Sequence, residues 1–424
     1  MFKSMRTMSR SMRIGGVFAI CLTLAACGGR PNDVLLPSPY APPPGGSKVD
    51  MLVATTRSAD GAIPGQMFTG KRGNVAYADV AVSIPPDAVR EVGEIQWPDR
   101  MPGNPAREFV TLKADRLDEK SAVAQFRSRI ARTPDRRVLV FVHGYNTKFD
   151  EAVYRFAQVM HDSQAPALPV LFTWPSRGRL LDYGYDREST AYSRIALEDM
   201  LQTLVKDPGV GEIDILAHSM GNEVTLGALH LMAVRDKRIS RKIKQVILAS
   251  PDVDYDVFRK LVTNMGPDRP AFTMLVARDD KALAMSRRIW GDMPRAGAIN
   301  PAAEPYRSEL AAANIQAFDL TDARGGDSLN HSKFAQSPKI VQLLGQRIAA
   351  GQTLGDSRGG LGERLGVVAV GAASTIGKAA GVAISAPIAV IDPQTRESLA
   401  ERVQDVGEGL TDTVRSTVDV PGIR

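Results

Sequence analysis

The sequence predicts an α/β fold: a mostly parallel central sheet with helices on both faces and a small strand-rich extension at the N-terminal side. Three observations predict it. After Pro134, short apolar runs rich in β-branched residues alternate with segments whose apolar residues recur at helical spacing. The runs are too short for core helices and too continuously apolar for one-sided strands, so they read as strands buried on both faces. Finally, a chain of 424 residues with 44% hydrophobic and 24% charged residues is too apolar for a disordered polymer and too polar for a polytopic membrane protein.

The elements follow in order. Residues 1–26 carry Lys3, Arg6, Arg10 and Arg13 ahead of an uninterrupted apolar run, Ile14 to Ala26. That run is shorter than the roughly 20 residues a spanning helix needs, so the segment reads as a secretion signal. Lys and Arg total 53 against 47 Asp and Glu. Without the four leader cations, 49 basic residues face 47 acidic ones, a near balance that argues against a nucleic-acid partner. The chain has two cysteines, Cys21 inside the leader and Cys27 just beyond it, so a mature chain holds no internal disulfide. Leu24-Ala25-Ala26-Cys27 resembles a bacterial lipobox, in which the cysteine is acylated, and Gly28 rather than an aspartate at the next position implies passage to the outer membrane.

Residues 27–48 hold six prolines and four glycines and are expected to form a tether. Residues 49–134 make the extension, with strands at Met51–Thr56, Val75–Ile84 and Glu108–Leu112 and a helix at Ser121–Ile130. Residues 135–350 make the core. Its strands are expected at Val138–Val142, Pro169–Trp174, Glu212–Ala217, Ile243–Ser250 and Phe272–Ala277. Its helices are expected at Phe149–Asp162, Glu188–Lys206, Gly221–Val234, Lys281–Trp290 and Lys339–Ala350. Arg177 to Ser189 reads as a cap or specificity loop, with Trp174, Tyr183 and Tyr185 as pocket aromatics. Residues 351–424 contain a Gly/Ala-rich apolar stretch, Leu365–Ile391, interrupted by Lys378, and an amphipathic tail. The stretch is suited to a membrane-surface or partner contact, or to packing back on the core.

Chemistry concentrates at the carboxyl ends of the strands. Ala217-His218-Ser219-Met220-Gly221-Asn222 runs from strand through a sharp turn into a helix, the setting of an exposed nucleophilic serine. Its plain alternative is a serine that caps the helix. Ser219 needs a base, and the chain has five histidines. His161 and His230 fall in helical patterns, and His218 diverges from its neighbour as a structural or pocket-lining residue. His331, in a turn-rich loop ahead of the last core helix, is the preferred base. Asp279 and Asp280, just past a buried strand, can hold its tautomer; Asp280 is preferred. Asp252 and Asp254 stand in reserve, with helix capping and shaping of the cleft as their milder role. The backbone N–H groups of Tyr145 and Met220 are the expected oxyanion donors, with Gly144 turning the chain tightly and His143, Asn146 and Gly221 supporting the site. No pattern in the sequence points to a cofactor or a metal.

These segments are specific enough to name a resemblance. Phe141-Val142-His143-Gly144-Tyr145-Asn146, Phe172-Thr173-Trp174-Pro175-Ser176, Leu216 to Asn222, Ala249 to Asp254, and Asp280-Lys281-Ala282-Leu283 with His331-Ser332 resemble the DUF900 family of bacterial α/β-hydrolase-like proteins, in the esterase/lipase superfamily. The resemblance implies the α/β-hydrolase fold and a triad of Ser219, Asp280 and His331, and brings no substrate. Ala217 matches that family's Ala-His-Ser-Met-Gly. The expected protein is a lipid-anchored serine hydrolase of the cell envelope, facing the periplasm, acting on an ester or other acyl-bearing small molecule or lipid. The competing expectation is an envelope scaffolding or binding lipoprotein that keeps the fold without turnover.

Overall fold

The computed structural model describes residues 33–60, 65–349 and 368–370. Its strands are β1 (Ser47–Ala59), β2 (Phe68–Ile84), β3 (Val110–Leu117), β4 (Arg137–Val142), β5 (Leu168–Thr173), β6 (Glu212–His218), β7 (Ile243–Ala249), β8 (Ala271–Val276), β9 (Ile315–Asp319) and β10 (Val368–Val370). Its helices are α1 (Glu119–Ile130), α2 (Phe149–Ser163), α3 (Tyr183–Lys206), α4 (Gly221–Asp236), α5 (Tyr255–Asn264), α6 (Lys281–Ile289), α7 (Tyr306–Ala312), α8 (Lys333–Gln336) and α9 (Pro338–Ala349).

The strands form one sheet in the order β10-β9-β8-β7-β6-β4-β5-β1-β2-β3. From β1 to β9 across its middle the pairs are parallel, and β2, β3 and β10 pair antiparallel at the two margins. Alternation along the strands sorts side chains to two faces. Val138, Val140 and Val142 of β4 and Ile213, Ile215 and Ala217 of β6 join a core with α3 (Leu197, Leu201) and α4 (Leu226, Leu229). Leu139, Phe141, Leu171 and Leu216 face the other way, into a core with α2 (Val153, Phe156) and α9 (Val341, Leu344). Both faces are therefore covered, which is why the central strands read as continuous apolar runs. The α/β-hydrolase-like fold predicted from sequence is the one observed.

From β4 the chain moves outward to β5 and then returns to the other side of β4 for β6. This reversal opens a crevice beyond the carboxyl ends of β4 and β6. The loop after β4 and the turn after β6 meet there.

Some expectations are corrected. The tether does not stand free from residue 33 onward: Val34 and Leu35 are buried in the α2-side core, the Val34 carbonyl accepts from Thr111 Oγ1 (2.7 Å) and Tyr154 Oη (2.9 Å), and Ser38 N–H donates to the Thr111 carbonyl (2.7 Å). Prolines exclude regular structure but not packing, and two adjacent apolar side chains suffice to dock the segment. Helix α3 begins at Tyr183, five residues before Glu188, and takes up most of the expected cap loop; the loop that remains is Arg177–Asp182. β9 extends the sheet beyond the five expected core strands. Within Leu365–Ile391, Val368–Val370 pairs with β9 as an edge strand. The leader, Cys27, the start of the tether and the rest of 351–424 lie outside the described residues. No helix among the described residues is long and apolar enough to cross a membrane.

Candidate active site

Ser219 sits at the apex between β6 and α4 with φ +54°, a left-handed conformation that a non-glycine residue adopts only when its surroundings enforce it. Those surroundings are specific. The Ser219 carbonyl accepts from Asn222 N–H (3.1 Å), Asn222 Nδ2 (2.8 Å) and Asp252 N–H (3.2 Å), and its own N–H donates to the Ala249 carbonyl at 2.9 Å. The turn is thus clamped between the end of β7 and the first turn of α4. Gly221 lets α4 press on β4: a Cβ there would lie 2.3 Å from the His143 carbonyl oxygen and 2.7 Å from that of Val142. Gly144 does the same from the other side, since its Cβ would lie 2.7 Å from Ser219 Cβ. The methyl group of Ala217 is buried in the α4-side core.

His331 lies in the loop between β9 and α8. Its Nδ1 donates to Asp280 Oδ2 at 2.7 Å, while Asp280 Oδ1 accepts from Leu283 N–H at 2.9 Å and so caps α6. One buried carboxylate therefore fixes both a helix start and an imidazole. Burial pushes the His331 pKa down, but the charge of Asp280 and its hydrogen bond, with Asp252 and Asp327 adding to them, outweigh burial and leave it above 6.5. Asp279 points elsewhere: it binds Asn330 Nδ2 (2.8 Å) and the buried Lys333 ammonium (2.9 Å), which also donates to the carbonyls of Leu320 and Thr321. Of the two adjacent acids, Asp280 meets the histidine and Asp279 staples its loop.

His218 joins serine and histidine. Its Nε2 donates to the His331 carbonyl at 3.2 Å, and its ring centroid is 4.8 Å from that of His331 and 4.7 Å from that of Phe334. Burial, helped by the neighbouring His331, holds its pKa well below 6.5, so it is a neutral spacer. Neither Ser219 Oγ nor His331 Nε2 makes a hydrogen bond among the described residues, either with each other or with a third group.

His143 is buried and stacks on Trp174 with centroids 5.1 Å apart and rings 10° from parallel. Its Nδ1–H donates to the Gly144 carbonyl (2.8 Å), its Nε2 accepts from Trp174 N–H (3.2 Å), and the Trp174 indole donates to the His143 carbonyl (2.8 Å). Burial, with Arg57 beside it, lowers its pKa to about 3. It supports the loop, as expected; Trp174 is fully buried in that support and is not a pocket aromatic. Asn146 has φ +57°, and its N–H donates to Asp186 Oδ2 at 3.3 Å. Met220 N–H makes no hydrogen bond among the described residues, and Tyr145 is fixed by its hydroxyl, which donates to the carbonyls of Arg179 and Leu180.

Sequence reasoning missed one support, Arg57, and held another, Asp252, in reserve for a different role. Arg57, at the end of β1, is fully buried: Nε donates to Thr173 Oγ1 (2.7 Å) and Nη1 and Nη2 to the carbonyls of Ser176 and Thr147 (each 2.8 Å), with Nη2 3.3 Å from His143 Nε2. Burial lowers its pKa to about 10, so it keeps its charge at neutral pH and ties the loop after β4 to the loop after β5. Asp252 belongs to a buried cluster: Oδ2 accepts from Tyr183 Oη and Oδ1 from Ser286 Oγ and Arg295 Nε, all at 2.7 Å. Its carboxylate caps nothing; Asp254 caps α5 through Asp256 and Val257 N–H. A charged residue closing an apolar strand was the available signal for Arg57.

A strand–turn–helix serine, a histidine–aspartate pair on later loops and a sheet with a switch point define an α/β-hydrolase-fold protein. The chain belongs to the family described as "Alpha/beta hydrolase of unknown function (DUF900)", which matches residues 118–347. An uncharacterized protein of Nostoc sp. is 27% identical over 139 residues, which cover 26% of this chain and 36% of that protein. The chain thus spans about a third of the curated relative it matches. Among solved structures, a lipase-esterase related protein from Clostridium acetobutylicum is similar at TM-score 0.30 and 12% identity, over 51% of this chain and 96% of that one. An esterase from Rhizomucor miehei is similar at TM-score 0.32 and 11% identity, over 81% and 93%. Likenesses this distant carry no weight for activity.

Proposed function

We propose that the protein is a serine hydrolase acting on carboxylic esters through an acyl-enzyme. His331 Nε2 takes the proton of Ser219 as Oγ attacks the acyl carbon, Asp280 holds the Nδ1–H tautomer and stabilises the imidazolium, and the N–H groups of Tyr145 and Met220 receive the oxyanion. Collapse of the tetrahedral species breaks the ester C–O bond, with the proton passing from His331 to the leaving alcohol; water, deprotonated by His331, then releases the acid. The observation that carries this reading is the 2.7 Å pairing of His331 Nδ1 with Asp280, on a loop held by the residue next to a strained Ser219. The reading extends to anchorage through an acylated Cys27 at the outer membrane, facing the periplasm, on the order of charged leader, apolar run and lipobox.

One experiment with two arms tests it. Full-length protein exposed to a fluorophosphonate probe should gain one adduct at Ser219, absent in Ser219→Ala and slowed by orders of magnitude in His331→Ala. Partitioned in detergent, the labelled protein should follow the detergent phase, and Cys27→Ser should release it or leave it unprocessed. A folded protein without an adduct, beside a control hydrolase that labels fully, sinks the enzyme reading in favour of a scaffolding protein; unchanged acylation in Cys27→Ser sinks the anchor.

A further inference from the structure

Two segments beside the site hold apolar side chains in water. The Arg177–Asp182 loop presents Leu180 and Leu181, the latter 99% exposed. The end of α6 and the residues after it present Met285 (60% exposed), Ile289, Trp290 (37%) and Met293. Met285 and Ile289 are four apart and share a helix face, away from the buried Leu283 and Ser286.

The two segments belong to one rim. The Trp290 ring is 5.7 Å from that of Tyr183, which is 4.9 Å from that of Tyr145. The Tyr145 hydroxyl holds the carbonyls of Arg179 and Leu180, and Tyr145 adjoins Gly144, which lies against Ser219. An apolar path therefore runs from the exposed tips to the serine turn.

Charge follows the same plan in both segments: Arg179 precedes Leu180-Leu181, and Arg288 precedes Ile289-Trp290. Both guanidinium groups are exposed and have no acidic partner among the described residues. Arg187 lies over the Trp290 ring at 4.3 Å. The nearby acids Asp182, Asp292 and Glu223 are paired with Arg177 (3.5 Å), Arg287 (2.7 Å) and Arg187 (3.8 Å), which leaves Glu188 as the exposed acid of this rim without an ion pair among the described residues. The rim is apolar at its tips and cationic behind them.

We propose that this rim docks on an anionic phospholipid surface, with Leu181, Ile289 and Trp290 entering the boundary between headgroups and acyl chains and Arg179 and Arg288 at the level of the phosphates. Buried apolar area and attraction to anionic lipid add in such contacts, and the amphipathic indole favours that depth. Docking brings the Ser219 turn to the bilayer, so the substrate class is an acyl ester presented from lipid. That consequence rests on the hydrolase reading; the docking itself does not.

The test uses the full chain and vesicles of phosphatidylcholine with or without roughly a third phosphatidylglycerol, a fraction chosen for strong surface potential, with some acyl chains brominated to quench indoles at membrane depth. The chain has three tryptophans. Trp174 is buried and Trp97 is stacked on Tyr154 at 4.9 Å, so quenching reports Trp290. The expected result is quenching on anionic vesicles that disappears in Trp290→Phe, weakens with salt, and needs about tenfold more lipid in a Leu181→Asp, Ile289→Asp double variant, which changes solvent-facing side chains alone. Vesicle-bound protein with Trp290 unquenched overturns the proposal, because membrane anchorage then leaves this face free, as a protein-binding face would be. Equal quenching on neutral vesicles overturns its anionic specificity. Fluorophosphonate labelling run in parallel separates the two readings: quenching without labelling supports docking and removes the hydrolase, whereas labelling without quenching does the reverse.

Discussion

Asp280 shows how one side chain is committed twice, with one oxygen capping α6 and the other holding His331 Nδ1. Asn at this position keeps a good cap and loses the charge. Asp280→Asn should therefore leave the circular dichroism spectrum unchanged and lower kcat/KM by on the order of 10³- to 10⁴-fold. Asp279→Asn should do the opposite: lysine–carboxylate pairing behind the loop is lost, costing about 1–2 kcal/mol in urea unfolding because Asp279 is partly solvated, with turnover changed little. A reversal of the two results would move the working acid by one residue. The pH profile carries the same logic. Under the proposed mechanism His331 must be neutral to act, and its pKa is raised above 6.5, so activity should fall as pH drops through that raised value; in Asp280→Asn, where burial is left to act with less opposition, the acid limb should shift to lower pH. Stability moves the other way. The raised pKa stabilises the fold fully below 6.5 and this contribution is lost as pH rises through the folded value.

At the scale of elements, α4 works because its first turn touches the end of β4. Gly221→Ala drives a Cβ into two main-chain carbonyl oxygens that no rotamer change can move, and should cost about 2 kcal/mol or more in denaturant melts while slowing probe labelling. Gly227→Ala, on the same helix, meets only the flexible Arg194 side chain at 3.1 Å and should be neutral or gain up to about 1 kcal/mol. If both variants lose equally, helix–strand contact is not what the glycine at 221 serves. Legibility follows the same physics. β4 was readable because a strand covered on both faces has no polar alternation to hide it, whereas β6 opens with Glu-Ile-Asp-Ile before its apolar run. β9 was not readable: Ile-Gln-Ala-Phe-Asp is five residues long with two polar members, and its burial comes from β8 and the α7 side rather than from its own composition. The triad candidates were readable because strand ends and turns mark them locally. Arg57 was not, because its partners, Thr173, Ser176, Thr147 and His143, are some 90 to 120 residues away and only the sheet order brings them together.

Across the whole molecule, the sheet extends to both sides of β4 and β6, with Asp280 following β8 and His331 following β9. The described core closes with α9, whose Ile340, Val341, Leu344 and Ile348 are buried against the α2-side layer and whose Gly345 lies against the Ser163 carbonyl. Beyond it, β10 adds three residues to the outer side of β9. A chain ending after residue 349 should accordingly fold cooperatively and label at Ser219 at close to the full-length rate, since Ser219, Asp280 and His331 lie outside β9, the strand with which β10 pairs. The cost should appear at the new margin. β9 would become an edge strand with open N–H and C=O groups, flanked by the apolar Ile315 and Phe318, so the truncated chain should self-associate as concentration rises, measurable by light scattering, and a Gln316→Lys change on that strand should suppress the association. A truncated chain that is monomeric but no longer labels would mean that the segment after α9 shapes the site itself, and that the sheet margin reaches further into function than its three paired residues indicate.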